Sequence, residues 1–397
     1  MHNGVASVMG TPRFISPPGA IAAVLAAAAM AGACSLGGTP AVATRSPSAS
    51  SPQSPAVSAA PSTSTPQATP SSTGPPPTPV VGAYGVLVTD QSASSYTVSI
   101  VGIDGKVAAS AQTSTPALVT CPSPAGPAGA PVPLPVSTTN SRAYYMDAQG
   151  VVRYVAPNGQ SGRATSVPGG TASRRSMFAV SPDDQRIAVI VNDYTQNGAS
   201  TRLYVEDLNG GGNHLDIYSR SGSRTLWPIG WHGTNNLVVA VVPSCTQGGG
   251  PFCCGVQELH VVDPADATRR FTLGGIESCV IAGPASPAGA ICWEGGTQSR
   301  VLNWTAGTVR TYPEQKPQLQ YLSPNGSKVA LVDDAGTSLQ GTNSSMAGLR
   351  ACAWMDDTHL LAGGDVQRQP RVLDVTTGAT IPVAAEGICA GRLPGGL

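Results

Sequence analysis

A unit of four short apolar runs recurs along this chain, and it restricts the fold more than any other feature. Its clearest copy is FAVSPDDQRIAVIVNDYTQNGASTRLYVEDLNGGG, from Phe178 to Gly212. The order is an apolar strand, a Ser-Pro-Asp-Asp turn, a β-rich strand, a polar loop, an alternating strand and a Gly turn. Aligned on Val180, further copies place Val136, Trp231, Ala282, Leu322, Trp354 and Arg392 at the same point. The six intervals average about 43 residues, the length of a four-stranded propeller blade.

The two ends of the repeat region complete each other. With strands A to D named outward from a central channel, Arg392 anchors an A strand with nothing after it. Tyr84 to Ser114 supplies B, C and D strands with no A before them. The C-terminal strand therefore completes the first blade, and ring closure removes the exposed ends of an open array. An all-β propeller of seven four-stranded blades is the expectation, with six or eight blades as alternatives and a pair of β-sandwiches more distant. The interval from Leu322 to Trp354 is short, so that blade is expected to lack its outer strand.

The Phe178–Gly212 unit, with its SPDG-type turn and its LYVEDL strand, resembles the repeat of TolB-like and related WD-type propeller proteins. The resemblance is specific for this one unit and faint elsewhere. It implies protein partners. The matched residues are scaffold residues, so no binding site carries over.

The N-terminal segment has a different texture. Arg13 is followed by an apolar run from Ala20 to Ala33, the layout of a secretory signal and short for a membrane span. Met9 is an alternative start to Met1. Ala31-Gly32-Ala33-Cys34 looks like a bacterial lipobox, although the usual Leu three places before the cysteine is Ala31. The expectation is a lipoprotein signal over 1–33, with Cys34 lipidated as the first mature residue. The alternative is an ordinary signal cleaved near Cys34. Residues 34–79 then form a tether. From Gly38 to Pro79 the chain is almost entirely Ser, Thr, Pro and Ala, with Arg45 as its one charge. Such a segment cannot bury a core, and its upper reach is on the order of 130 Å. The propeller domain is expected over 80–397, held off the outer face of the cytoplasmic membrane as on an actinobacterial-type cell surface.

Besides Cys34 there are eight cysteines, an even number that suggests disulfides in an exported protein. Against the Val180 anchor, Cys279 aligns with Met177 and Cys292 with Ile190, which face each other across an A–B hairpin. Cys352 and Cys389 fall on the A strands of the last and first blades, and a bond between them would lock the ring at its seam. Cys245 with Cys253 or Cys254 brackets a B–C loop. Cys121 lies in a D–A connection on the same rim. That rim also carries the long insertions Thr115 to Gly129, Asp193 to Ser200 and Ser244 to Gly255. Loops stiffened by disulfides order on binding at lower entropic cost.

Chemistry-bearing motifs are sparse. Charged residues make up 11% and the net charge is zero, which argues against a nucleic-acid partner. There is no G-x-S-x-G elbow and no Gly-rich phosphate loop between strand and helix. Cys253-Cys254 lacks metal-ligand spacing and the five histidines are scattered, so neither a metal nor another cofactor is expected. The carboxylate pairs Asp183-Asp184, Asp333-Asp334 and Asp356-Asp357 are read as solvated turn residues. His232, Trp231 and Arg392 are the remaining residues for a binding face. The function expected is a monomeric, non-enzymatic surface lipoprotein binding an envelope protein or a cell-wall glycan. The alternatives are an exported glycan hydrolase or lyase, and a sensor module acting on a membrane kinase. Three or more Asp, Glu, His or Arg side chains meeting in one pocket would favour the enzyme.

Overall fold

The computed structural model describes residues 75–397 except 90–93, 122–127, 130–131, 197, 245–255, 257, 276–277, 296, 315–317 and 364–368. The chain divides into two units, Met1–Thr65 and Pro66–Leu397, and every described residue lies in the second. The expected signal, Cys34 and the expected tether up to residue 74 lie outside the described residues. So do Cys245, Cys253, Cys254 and the side chain of Cys121.

All described regular structure is β. Blade 1 contains β1 (Tyr84–Val88), β2 (Ser95–Gly102) and β3 (Val107–Ser114). A small ribbon follows, β4 (Thr120–Cys121) and β5 (Ala128–Gly129). Blade 2 is β6 (Val136–Thr138), β7 (Ala143–Met146), β8 (Val151–Val155) and β9 (Ser161–Ser166). Blade 3 is β10 (Arg174–Val180), β11 (Arg186–Thr195), β12 (Gly198–Asp207) and β13 (Leu215–Gly222). Blade 4 is β14 (Arg224–His232), β15 (Asn236–Pro243), β16 (Glu258–Val262) and β17 (Arg269–Leu273). Blade 5 is β18 (Val280–Ile281), β19 (Ala290–Glu294), β20 (Gln298–Leu302) and β21 (Thr308–Pro313). Blade 6 is β22 (Leu319–Leu322), β23 (Val329–Asp333), β24 (Gly336–Leu339) and β25 (Ser345–Ala347). Blade 7 is β26 (Ala351–Trp354), β27 (His359–Ala362), β28 (Arg371–Asp374) and β29 (Thr380–Pro382). Finally β30 (Ile388–Leu393) pairs with β1 and completes blade 1, giving seven four-stranded antiparallel blades.

The strand sequences follow from position in the blade. A second strand is covered on both faces by neighbouring blades, so it reads as a continuous apolar run. Ile187 to Val191 of β11 and Leu237 to Val242 of β15 are buried throughout. An outer strand faces solvent, and β13 and β29 are largely exposed. The outer strand of blade 6 is present, contrary to the expectation from its short repeat. Three residues suffice for it, because an outer strand buries little and needs no apolar signature.

Apolar clusters fill every gap around the ring. Leu393 packs with Val86, Ala143 and Tyr145 between blades 1 and 2. Phe178 and Val189 meet Tyr144 and Val152 between blades 2 and 3. One large cluster spans blades 3, 4 and 5, and others join 5 to 6, 6 to 7, and 7 to 1. Two tryptophans at the repeat anchor add directional bonds. Trp231 Nε1 donates to the Ala179 carbonyl of the preceding blade at 3.0 Å, and Trp354 Nε1 to that of Tyr321 at 2.8 Å. Both acceptors sit one residue before the anchor of their own blade.

Three details differ from the repeat alignment. In blade 2 the turn closes from Thr139 to Arg142, so Thr138 takes the place assigned to Val136. In blade 5 the ladder pairs Ile281 with Cys292, so Cys279 lies two residues from the register expected. Asp193 to Ser200 is not a loop: β11 and β12 stay paired as far as Thr195 and Gly198. The first two slips are by two residues, which keeps each side chain on its expected face.

Candidate binding channel

The inner strands of six blades and the A–B turn of blade 5 surround a cavity of about 620 Å³. Its wall is mainly apolar, with Leu134, Met177, Phe178, Ile229 and Trp354 among the lining residues. Every A strand runs from the D–A rim to the A–B rim, so its first residues line one end and its last residues the other. Arg175, second in β10, lies toward the D–A rim. Arg392, next to last in β30, lies toward the A–B rim. These two arginines are the only charged side chains among the described lining residues.

Their surroundings differ. Arg392 is partly buried; burial lowers its pKa while the nearby Asp357 carboxylate opposes that shift. Arg175 is only 2% exposed, and burial lowers its pKa without any carboxylate in opposition. The groups acting on it electrostatically are Tyr96 and Tyr194. Burial raises the Tyr96 phenol well above its ordinary range and pushes Tyr194 up to about 12, so both stay neutral.

The segment after β30 crosses the A–B ends of three blades. Gly395 N donates to Thr139 O of blade 2 at 2.7 Å, and Leu397 N to Trp231 O of blade 4 at 2.8 Å. Between them, Gly396 runs so close to Pro182 of blade 3 that a Cβ there would lie 2.9 Å from the proline ring. The positive φ of Gly396, 84°, is a second reason for glycine here. His232 Nδ1 lies 2.9 Å from Leu397 O, and its ring stacks on Trp304 with centroids 5.4 Å apart. Of the residues singled out for a binding face, Arg392 lines the channel. Trp231 is fully buried between blades, and His232 is half-buried beneath Leu397.

The paired carboxylates divide. Asp183, Asp333 and Asp334 are exposed, as expected of turn residues. Asp184 is not: it is 5% exposed and accepts hydrogen bonds from Thr139 Oγ1 at 2.6 Å, Ser141 Oγ at 2.6 Å and Tyr144 OH at 2.8 Å. All three donors belong to blade 2, so Asp184 ties two blades together. It occupies the glycine-like place of its turn at φ 59°, where blade 6 has Gly326 at φ 77°. Asp356 is half-buried and paired with His359 Nδ1 at 2.9 Å. No group of three or more metal-ligating side chains occurs among the described residues.

Among the described residues two disulfides are formed, Cys279–Cys292 within blade 5 and Cys352–Cys389 between blades 7 and 1. Both pairings match those read from the alignment. Cys352 and Cys389 also line the channel.

No protein-family model matches the chain, and no curated protein matches it. Solved structures do. An oligogalacturonate lyase in complex with manganese aligns at TM-score 0.43 and 12% identity, over 77% of this chain and 97% of the other. BamB from Moraxella catarrhalis aligns at TM-score 0.37 and 13% identity, over 80% and 84%. A protein of unknown function from Bacteroides caccae aligns at TM-score 0.39 and 9% identity, over 78% and 98%.

Proposed function

We propose that this chain is an exported, lipid-anchored propeller that acts as a non-enzymatic binding scaffold at the cell envelope. The observation that carries the reading is the wall of the channel. Among its described residues it offers two arginine side chains at opposite ends and no carboxylate or histidine side chain. General acid–base work on a glycan needs a proton donor and acceptor at one locus, and these residues supply neither. A largely apolar cavity with a few polar groups is the usual form of a binding pocket.

The anchoring part of the proposal rests on Ala31-Gly32-Ala33-Cys34 and the Ser/Thr/Pro-rich stretch that follows. Two disulfides support an oxidising compartment. The partner class is an envelope protein or a cell-wall glycan.

Affinity capture from envelope extracts, with the purified chain as bait, tests the binding role. A partner retained by the chain and released by excess free chain is the expected result. Turnover of a cell-wall glycan by the purified chain would replace the scaffold with an enzyme. Fractionation of a Cys34→Ser variant tests the anchor: the variant should leave the membrane fraction, and retention there would overturn the lipid attachment.

A further inference from the structure

We infer that Arg175 is the anion-holding end of a ligand site inside the channel, and that the ligand is an apolar monocarboxylate. The inference deepens the binding reading above by assigning a ligand class to the cavity.

Arg175 is a buried cation without a counter-charge among the described residues. Among the described residues its one hydrogen bond runs from Nη1 to the Ala117 carbonyl at 3.3 Å. Nε is buried and has no hydrogen-bond partner among the described residues. No carboxylate pairs with it among the described residues, whereas its neighbour Arg174 is held by Asp193 at 2.6 Å. Arg142, also buried, donates to the Pro75 carbonyl and lies 4.0 Å above the Tyr154 ring. Arg175 has no such ring beneath it among the described residues.

A guanidinium stays protonated in proteins, and burying one unpaired is strongly unfavourable. The arrangement is accounted for if an anion completes it. The guanidinium edge left free by the Ala117 bond suits a carboxylate, which accepts two parallel N–H bonds. Charge sets the valence. Arg392, at the other end, already has Asp357 nearby. Arg175 is the channel arginine without a carboxylate acting on it among the described residues, and a monoanion balances its single charge. A dianion would leave a buried negative charge against an apolar wall. The rest of the ligand must match Leu134, Met177, Phe178, Ile229 and Trp354, so its body is apolar. A cavity of about 620 Å³ lies within the range of small-molecule sites.

Isothermal titration of the purified full chain with decanoate and with decan-1-ol, both below their aggregation concentrations, tests this. The two probes share an apolar body and differ in the charged end. Decanoate should bind saturably with one site per chain, on the order of tenfold to a hundredfold more tightly than decan-1-ol. Arg175→Met should abolish that preference, while Arg392→Gln should leave it in place. Decanoate should also raise the melting temperature of the unaltered chain and not that of Arg175→Met. Absence of decanoate binding, equal binding of the two probes, or a preference that follows Arg392 would each overturn the site. The comparison of probes on the unaltered chain stands even if Arg175→Met does not fold. Capture of an envelope protein by a chain that ignores decanoate would overturn this site and leave the scaffold reading in place.

Discussion

Cys352 and Cys389 meet because each sits at or beside a β-bulge. In blade 7, Ala351 pairs with Ala362 and Ala353 with Leu361, so Cys352 is the extra residue. In blade 1, Gly391 pairs with Val86 and Cys389 with Leu87, so Ala390 is extra. Ala351 and Trp354 pack toward blade 6, while Leu361 and Leu87 pack in the gap between blades 7 and 1. Regular alternation from Trp354 would turn Cys352 toward blade 6. Regular alternation from Leu393, which packs toward blade 2, would turn Cys389 away from blade 7. A bulge in each strand reverses both directions and brings the Cα atoms to 5.7 Å.

The seam disulfide should contribute substantially to stability. It spans 37 residues, for which the chain-entropy relation gives about 3–4 kcal/mol. Cys352→Ser with Cys389→Ser should lower the free energy of unfolding by about that amount in urea titration. Removal of 387–397 should do more, because it leaves β1 as an open edge and promotes association. A truncated chain that stays monomeric with an unchanged melting temperature would refute the role of β30.

Asp184 should matter through its three hydroxyl partners rather than through its turn. Asp184→Gly removes any strain at φ 59° but strands Thr139, Ser141 and Tyr144. Unfolding experiments should show a loss of about 1–3 kcal/mol. A more stable glycine variant would mean that backbone strain dominates.

The anchor tryptophans should be separable into packing and hydrogen bonding. Trp354→Phe keeps most of the apolar contact and loses the bond to Tyr321 O, and should cost about 1 kcal/mol. Trp354→Ala also opens a cavity between blades 6 and 7, and should cost about 3–5 kcal/mol. Equal losses by calorimetry would argue against this partition.

Acid should act in part through Asp356. Burial works to raise its pKa, but the Thr358 and His359 amides, the Thr358 hydroxyl and the His359 ring together hold it below the ordinary value. A carboxylate depressed in the folded state stabilises above the unfolded value, about pH 3.9, and loses that contribution as pH falls through the folded value. Asp356→Asn should therefore lose less stability than the unaltered chain between pH 5 and pH 2.5. Identical acid profiles would remove Asp356 from the transition.

Local pattern alone carried the reading of this chain to the seven-bladed ring and its closure by β30, and placed Cys352 and Cys389 on neighbouring inner strands; the bulges that let them meet belong to the tertiary structure. Alternation and turn residues report which face a side chain leaves and where a blade repeats, since both act over a few residues. They report register only to within two residues, so Val136 stood for Thr138 and Cys279 for a residue opposite Cys292. Outer strands such as β25 went unseen because they bury too little to need an apolar signature. What only the tertiary structure decided lies between blades. Asp184 reads as one more turn carboxylate until the hydroxyls some forty residues before it close around it. Arg175 reads as one of two adjacent arginines until the fold gives Asp193 to Arg174 and buries Arg175 without a carboxylate beside the channel. Whether a buried group has a partner depends on every element packed around it, and most of those elements are distant in sequence.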